Sequence, residues 1–207
     1  MNTLVVAPHP DDETIGCGGR LALATASGES VGAVFLTSGE LGLEELAADK
    51  ARAVREAEAE AAAQILGLTS LTFLRQPDWF LSGASGQAAK ELREVVQREP
   101  PDRLLVPHVE EWHPDHAATP AIVRMALWNI QETIEVQTYE VWTPMTTFKD
   151  VEDISSVMET KLAAVRAYRS QVDRFRYDEA VEGLNRFRGA VAARCRYAEA
   201  YGQLDVN

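Results

Sequence analysis

All four histidines of the 207-residue chain, His9, His108, His113 and His116, fall in two turns, each entered from a short apolar run that ends in proline. The first turn reads His9-Pro10-Asp11-Asp12-Glu13. The second holds His108, Glu110, Glu111, His113, Asp115 and His116, so His-Pro-Asp occurs twice. Histidines serving packing or solubility would scatter, whereas two turns rich in His and Asp can converge on one metal ion. Zn²⁺ accepts imidazole nitrogen and carboxylate oxygen, and a catalytic zinc needs three protein ligands and a position for water. One His and one Asp from the first turn with one His from the second supply that set. Water on such an ion titrates near neutrality, and an adjacent carboxylate that is not a ligand can take its proton. Asp11 and Asp12 are neighbours and can divide these tasks, one on the metal and one on the water. Helix capping by Asp12 would explain the carboxylates but not the histidines. His108 follows Val106-Pro107 much as His9 follows Ala7-Pro8, which makes it an alternative ligand or a partner that orients one.

The elements that position these turns follow from hydrophobic periodicity and breakers. Thr3–Ala7 reads as a buried strand stopped by Pro8 and Pro10, and Thr14–Ala26 as the helix after it. Ser30–Ser38 is a second strand, Ala47–Leu66 a helix stopped by Gly67, and Leu71–Arg75 a third strand. Gln76–Gly86 reads as a loop, Gln87–Glu99 as a helix, Leu104–Val106 as a fourth strand and Ala117–Asn129 as a helix. Beyond these, Ile134–Trp142 reads as a strand, and Val157–Tyr168 and Arg186–Tyr201 as helices. Strands alternating with helices predict an α/β fold, a Rossmann-like three-layer sandwich with a mostly parallel sheet, and no linker or repeat divides residues 1–207 into more than one domain. Both His-bearing turns then lie outside the carboxyl ends of strands, where such sheets place their chemistry. Gly16, Gly18 and Gly19 do not form G-x-G-x-x-G; they read as positions where the first helix packs close to the sheet. Cys17 reads as a small packed residue rather than a thiolate ligand. Trp79 and Phe80 form either a wall on which a ligand can stack or part of the core.

Composition bounds the partners. A net charge of −12, from 20 Lys+Arg against 32 Asp+Glu, repels phosphate backbones and anionic membrane surfaces, so neither nucleic acid nor membrane is an expected partner. Several arginines between Arg166 and Arg188 make the tail locally basic, which reads as surface pairing with carboxylates. Two cysteines give no disulfide framework, and with no signal segment in view the expected setting is the cytoplasm. Homo-oligomerisation is left open.

Ala7-Pro8-His9-Pro10-Asp11-Asp12-Glu13 together with His113-Pro114-Asp115-His116 resembles the PIG-L/LmbE-like metal-dependent deacetylases, which remove acetyl groups from N-acetylglucosamine derivatives. Thr37-Ser38-Gly39-Glu40-Leu41-Gly42, Arg55 with Glu58, Pro77-Asp78, Tyr168-Arg169-Ser170-Gln171 and Tyr197-Ala198-Glu199-Ala200-Tyr201 look like further family blocks in the family's order. The resemblance implies that His9, Asp12 and His116 are the ligands of Zn²⁺, with Fe²⁺ or another divalent metal as the alternative. It implies that Asp11 is the general base, and that His113 stabilises the oxyanion or helps protonate the leaving amine. Glu13 and His108 are then supporting residues around the ligands, and Arg55 and Asp78 contact the substrate. The implied reaction is hydrolysis of an acetamide on a small amino sugar. The alternatives are hydrolysis of a non-sugar N-acyl compound or thiol conjugate, and a non-catalytic binding module on the same fold. One departure stands out: relatives often carry an aromatic and glycine-containing lead-in to the second motif, whereas here it is Glu110-Glu111-Trp112. Two acidic residues at the mouth of the site would disfavour a strongly anionic substrate.

Overall fold

Residues 1–131 and 133–206 are described by a computed structural model, in which seven strands form one sheet in the order β3-β2-β1-β4-β5-β7-β6. The strands are β1 (Asn2–Ala7), β2 (Ser30–Phe35), β3 (Ser70–Phe73), β4 (Arg103–Pro107), β5 (Glu135–Tyr139), β6 (Asp150–Asp153) and β7 (Ala198–Gln203). The first five pair in parallel; β7 runs antiparallel to both β5 and β6. The helices are α1 (Asp12–Ala26), α2 (Ala48–Leu66), α3 (Leu81–Arg98), α4 (Pro114–Leu127), α5 (Met158–Ala167), α6 (Arg169–Phe175) and α7 (Tyr177–Arg188). The expected α/β sandwich with a mostly parallel sheet is therefore present.

Successive side chains of a strand face opposite ways, and β1 is apolar on both sides because both sides are covered. Val5 and Ala7 join Leu21, Phe35, Ala62 and Leu162 in a core under α1, α2 and α5. Leu4 and Val6 join Leu92, Leu104, Val106 and Val123 in a second core under α3 and α4. The strand order reverses between β1 and β4, and the turns carrying His9 and His113 leave those two strands. That switch point opens a crevice at the carboxyl edge of the sheet.

Two glycines of α1 bring the helix onto its neighbours, as its sequence suggests. A β-carbon at Gly16 would strike the buried Tyr139 ring and lie 2.7 Å from the Glu140 carbonyl oxygen, and one at Gly19 would lie 2.6 Å from Ile154. Gly16→Ala is expected to cost about 1–3 kcal/mol of stability through overpacking. A urea midpoint equal to that of the wild type would show that α1 can shift without penalty.

The sequence reading lacks β6, α6 and most of α7, and three of its other boundaries move for reasons visible in the contacts. Helix α3 begins at Leu81 rather than Gln87, because Asp115 accepts the backbone N–H of Trp79 (2.7 Å) and of Leu81 (3.0 Å), a contact made from α4. Helix α4 begins at Pro114 rather than Ala117; His113 is its N-cap, its Nδ1 accepting the Asp115 N–H at 3.3 Å. Arg186–Tyr201 is not one helix: α7 ends at Arg188, a π-helical turn spans Gly189–Ala193, and β7 follows. The Ala, Glu and Tyr residues of that segment have usable helix propensity, but tertiary pairing overrides it. Glu199 accepts the N–H groups of Gly19 and Arg20 at 2.8 Å each and pairs with the buried Lys161 at 2.6 Å, locking β7 against α1 and α5.

Candidate active site

The tight exit from β1 sets the geometry of the first turn. Asp11 takes a φ of 119°, a costly conformation for a residue with a side chain, and is held in it by its neighbours. Its N–H donates to Glu13 Oε2 (3.1 Å), and its carbonyl accepts from Thr14 N (3.0 Å), Ile15 N (2.9 Å) and Thr14 Oγ1 (2.8 Å). Glu13 is itself anchored by the Tyr168 hydroxyl. The Asp11 side chain makes no capping bond to α1. It faces Arg55, whose Nη2 is 3.3 Å from Asp11 Oδ2 and also donates to the Pro10 carbonyl. Burial raises the Asp11 carboxyl to about 6, against the downward pull of the Arg55 guanidinium.

Asp12 turns the other way. Its Oδ2 accepts the His9 N–H at 2.9 Å and lies 3.2 Å from His9 Nδ1 and 3.3 Å from His116 Nε2. The two imidazole nitrogens are 3.2 Å apart, which closes a nearly equilateral triangle of buried ligand-type atoms. A tetrahedral Zn²⁺ holds ligands at about 2.0–2.2 Å, which spaces them by about 3.3–3.6 Å. The remaining nitrogens face carboxylates, though His116 Nδ1 makes no hydrogen bond. His9 Nε2 is 3.2 Å from Asp78 Oδ1 and 3.3 Å from Asp115 Oδ2, and His116 Nδ1 is 3.6 Å from Glu111 Oε2. Among the described residues, His9, His113 and His116, and likewise His9, Asp78 and Asp115, also approach closely enough to hold a metal ion. Burial alone would depress His116, but Asp12 more than reverses this and brings it to about 9. The centre is built to favour positive charge.

His113 stands apart electrostatically. Burial, reinforced by the charges on His9 and His116, depresses it to about 4, so its ring is neutral at pH 7. Because its Nδ1 accepts the Asp115 N–H, the proton resides on Nε2. His113 therefore presents a neutral N–H donor, and with Asp11, Arg55 and Asp78 it lines a cavity of about 700 Å³.

The other candidates separate clearly. His108 does not join the triangle: its Nε2 donates to the Thr143 carbonyl at 2.7 Å and lies 3.4 Å from Glu111 Oε1. It stands behind Glu111. Glu111 is not at the mouth, as its sequence context suggests, but buried, and its carboxylate collects the N–H groups of Val141, Trp142 and Thr143 at 2.8–3.2 Å. Burial opposes its ionisation, yet the facing His108 and His116 rings and the Val141 N–H hold it down at about 2. Asp78 accepts the Leu41 N–H at 2.8 Å besides facing His9. Arg55 Nε and Nη1 are buried without an acceptor in the protein. Cys17 is fully buried, donates to the Glu13 carbonyl at 3.3 Å and has its thiol pushed upward by burial, which suits packing and not ligation. Trp79 is about half exposed and its ring lies 4.4 Å from that of His113, so it belongs to the cavity wall rather than the core. Sequence reasoning gave Glu111 and Asp115 no supporting role and did not find Trp142 and Tyr177. The two acids carry a signal in their nearness to His113 and His116; the two aromatics carry none.

Known proteins share this arrangement of chain. The family model described as PIG-L: GlcNAc-PI de-N-acetylase matches residues 4–127. Diacetylchitobiose deacetylase of Thermococcus kodakarensis is 32% identical over 189 residues, covering 81% of this chain and 69% of that protein. The conserved protein TT1542 of Thermus thermophilus superposes with a TM-score of 0.86 at 31% identity over 100% of this chain and 96% of that one. N,N'-diacetylchitobiose deacetylase of Pyrococcus horikoshii, solved with its inhibitor MPG, superposes with a TM-score of 0.85 at 26% identity over 97% and 82% of the two chains. Since the matched stretch runs from β1 through α4 and takes in both His-Pro-Asp turns, the chain belongs to the PIG-L family.

Proposed function

We propose that the protein is a metal-dependent N-deacetylase acting on a small N-acetylglucosamine-type derivative. The observation that carries this reading is the triangle of His9 Nδ1, Asp12 Oδ2 and His116 Nε2, each 3.2–3.3 Å from the others, with the carboxylate of Asp11 beside it on a cavity wall. The names of the deacetylase relatives support the same class. His9, Asp12 and His116 would hold the ion; two imidazoles and a carboxylate suit Zn²⁺, with Fe²⁺ as the alternative. When bound, a divalent cation acidifies water and polarises a carbonyl.

The chain's own residues supply the rest. Asp11 takes a proton from the attacking water as its oxygen bonds to the acetyl carbon, and returns that proton to the nitrogen as the C–N bond breaks and acetate leaves. Arg55 keeps the Asp11 carboxylate oriented. The His113 Nε2–H donates to the oxygen that gains negative charge, from a ring already locked by its capping bond. Arg55 and Asp78, both on the cavity wall, are the polar side chains assigned to the sugar hydroxyls. No helix among the described residues is long and apolar enough to cross a membrane, and the free thiols of Cys17 and Cys195 support work in the cytoplasm.

The test is metal analysis combined with acetate release from a panel of N-acetyl sugars. We expect about one divalent ion per chain, loss of turnover on chelation and its return with Zn²⁺ or Fe²⁺. Stoichiometric metal with no acid released from any acyl amide would sink the enzyme reading in favour of a binding module.

A further inference from the structure

The cavity carries more than acetamide chemistry requires. From His113 outward it is walled by a connected series of rings. Trp79 and Trp142 stand 4.4 and 5.2 Å from His113, Trp112 lies 5.0 Å from Trp142, Trp142 stacks on Tyr177 at 6.3 Å, and Tyr177 on Phe175 at 5.5 Å. The outer members remain wet: Trp112 is 64% and Phe175 56% exposed, so a ligand covering them would remove apolar ring surface from water.

Charge points the same way. Among the residues lining the cavity, the only Lys or Arg side chains are Arg55 and Arg174. Arg55 sits at the reacting end against Asp11 and the Pro10 carbonyl. Arg174 is tied to Glu45 at 2.5 Å and to the Gly42 carbonyl at 3.1 Å. Asp11, Asp78 and Glu44 also line the cavity. A phosphate or carboxylate on the far half of a substrate would pass acidic groups and meet one cation there, Arg174, already shared with Glu45 and the Gly42 carbonyl.

We propose that the substrate joins its N-acetylated sugar to an uncharged group with an apolar face, seated along Trp142, Tyr177 and Phe175; this rests on the deacetylase reading above. Tyr177 and Phe175 lie outward of Trp142, away from the bond that breaks, so that end of the wall acts through binding and lowers KM.

The test compares free-amine release from N-acetylglucosamine, phenyl N-acetyl-β-D-glucosaminide, N-acetylglucosamine 1-phosphate and N-hexanoylglucosamine. Burial of one aromatic ring predicts a kcat/KM for the phenyl glycoside about 10- to 100-fold above that for the free sugar, with the phosphate below both. Phe175→Ala, at an exposed position whose loss leaves the cores intact, should reduce the ratio of phenyl glycoside to free sugar by several-fold. A phosphate equal to or better than the phenyl glycoside, a ratio untouched by Phe175→Ala, or a preference for the hexanoyl amide over the phenyl glycoside overturns the assignment. Calorimetry with phenyl β-D-glucosaminide and glucosamine 1-phosphate, which carry no acyl group to hydrolyse, keeps the two readings apart. Tighter binding of the phenyl compound without turnover of any amide upholds the wall and removes the deacetylase reading. Equal binding removes the wall whatever the turnover.

Discussion

Asp11→Asn should retain the bound metal and lose about 10²- to 10⁴-fold in kcat, the span that a positioned general base contributes. Asparagine has the size of aspartate and tolerates positive φ better than most residues, so the backbone at 119° should survive the change. What disappears is the ability to accept a proton. The partner charge of Arg55 disappears with it, and since Arg55 is buried, some stability is lost as well. Metal content and circular dichroism on the same sample separate these effects. A variant that folds but loses its metal would mean that Asp11 and Asp12 have been exchanged in our assignment. Full activity would mean that the base lies elsewhere.

The second large effect is expected at His116. Its removal takes away one of the three proposed ligands, and the loss of metal affinity should exceed the about 10- to 100-fold typical of losing a group that merely orients a ligand. His108→Ala is the matched control. His108 bonds the Thr143 carbonyl and stands behind Glu111, so its loss should fall within that smaller range. Titration of each apo protein with Zn²⁺ checks both. Equal losses in the two variants would show that His108 is the third ligand or that the cluster rearranges around whichever histidine remains.

The chemistry of this site was unusually legible because ligand type is a property of side chains and the two turns are short. Within five residues the first turn offers an imidazole and three carboxylates, and an apolar run with proline on one side and a helical pattern on the other places them outside a strand end. The parallel order of the first five strands follows from the same alternation. Legibility fell where long-range contacts chose the outcome. Glu111 looked like a charge at the mouth because Glu110-Glu111-Trp112 is polar in sequence, but the backbone N–H groups of Val141, Trp142 and Thr143 draw it inside. Gln76–Gly86 reads as a loop, yet Asp115 starts a helix within it at Leu81.

By itself, then, the sequence determined which ligand-type residues gather in the candidate site and the sheet edge they occupy, since both depend on residue type and local spacing. Only the tertiary structure decided which carboxylate faces the imidazoles and which faces Arg55, because neighbouring aspartates diverge through a backbone angle that no composition reveals. It also decided the aromatic wall. Trp142 reaches His113, and Tyr177 reaches Trp142, from segments far along the chain, and their meeting is a consequence of how β5 and the last helices pack across the carboxyl edge.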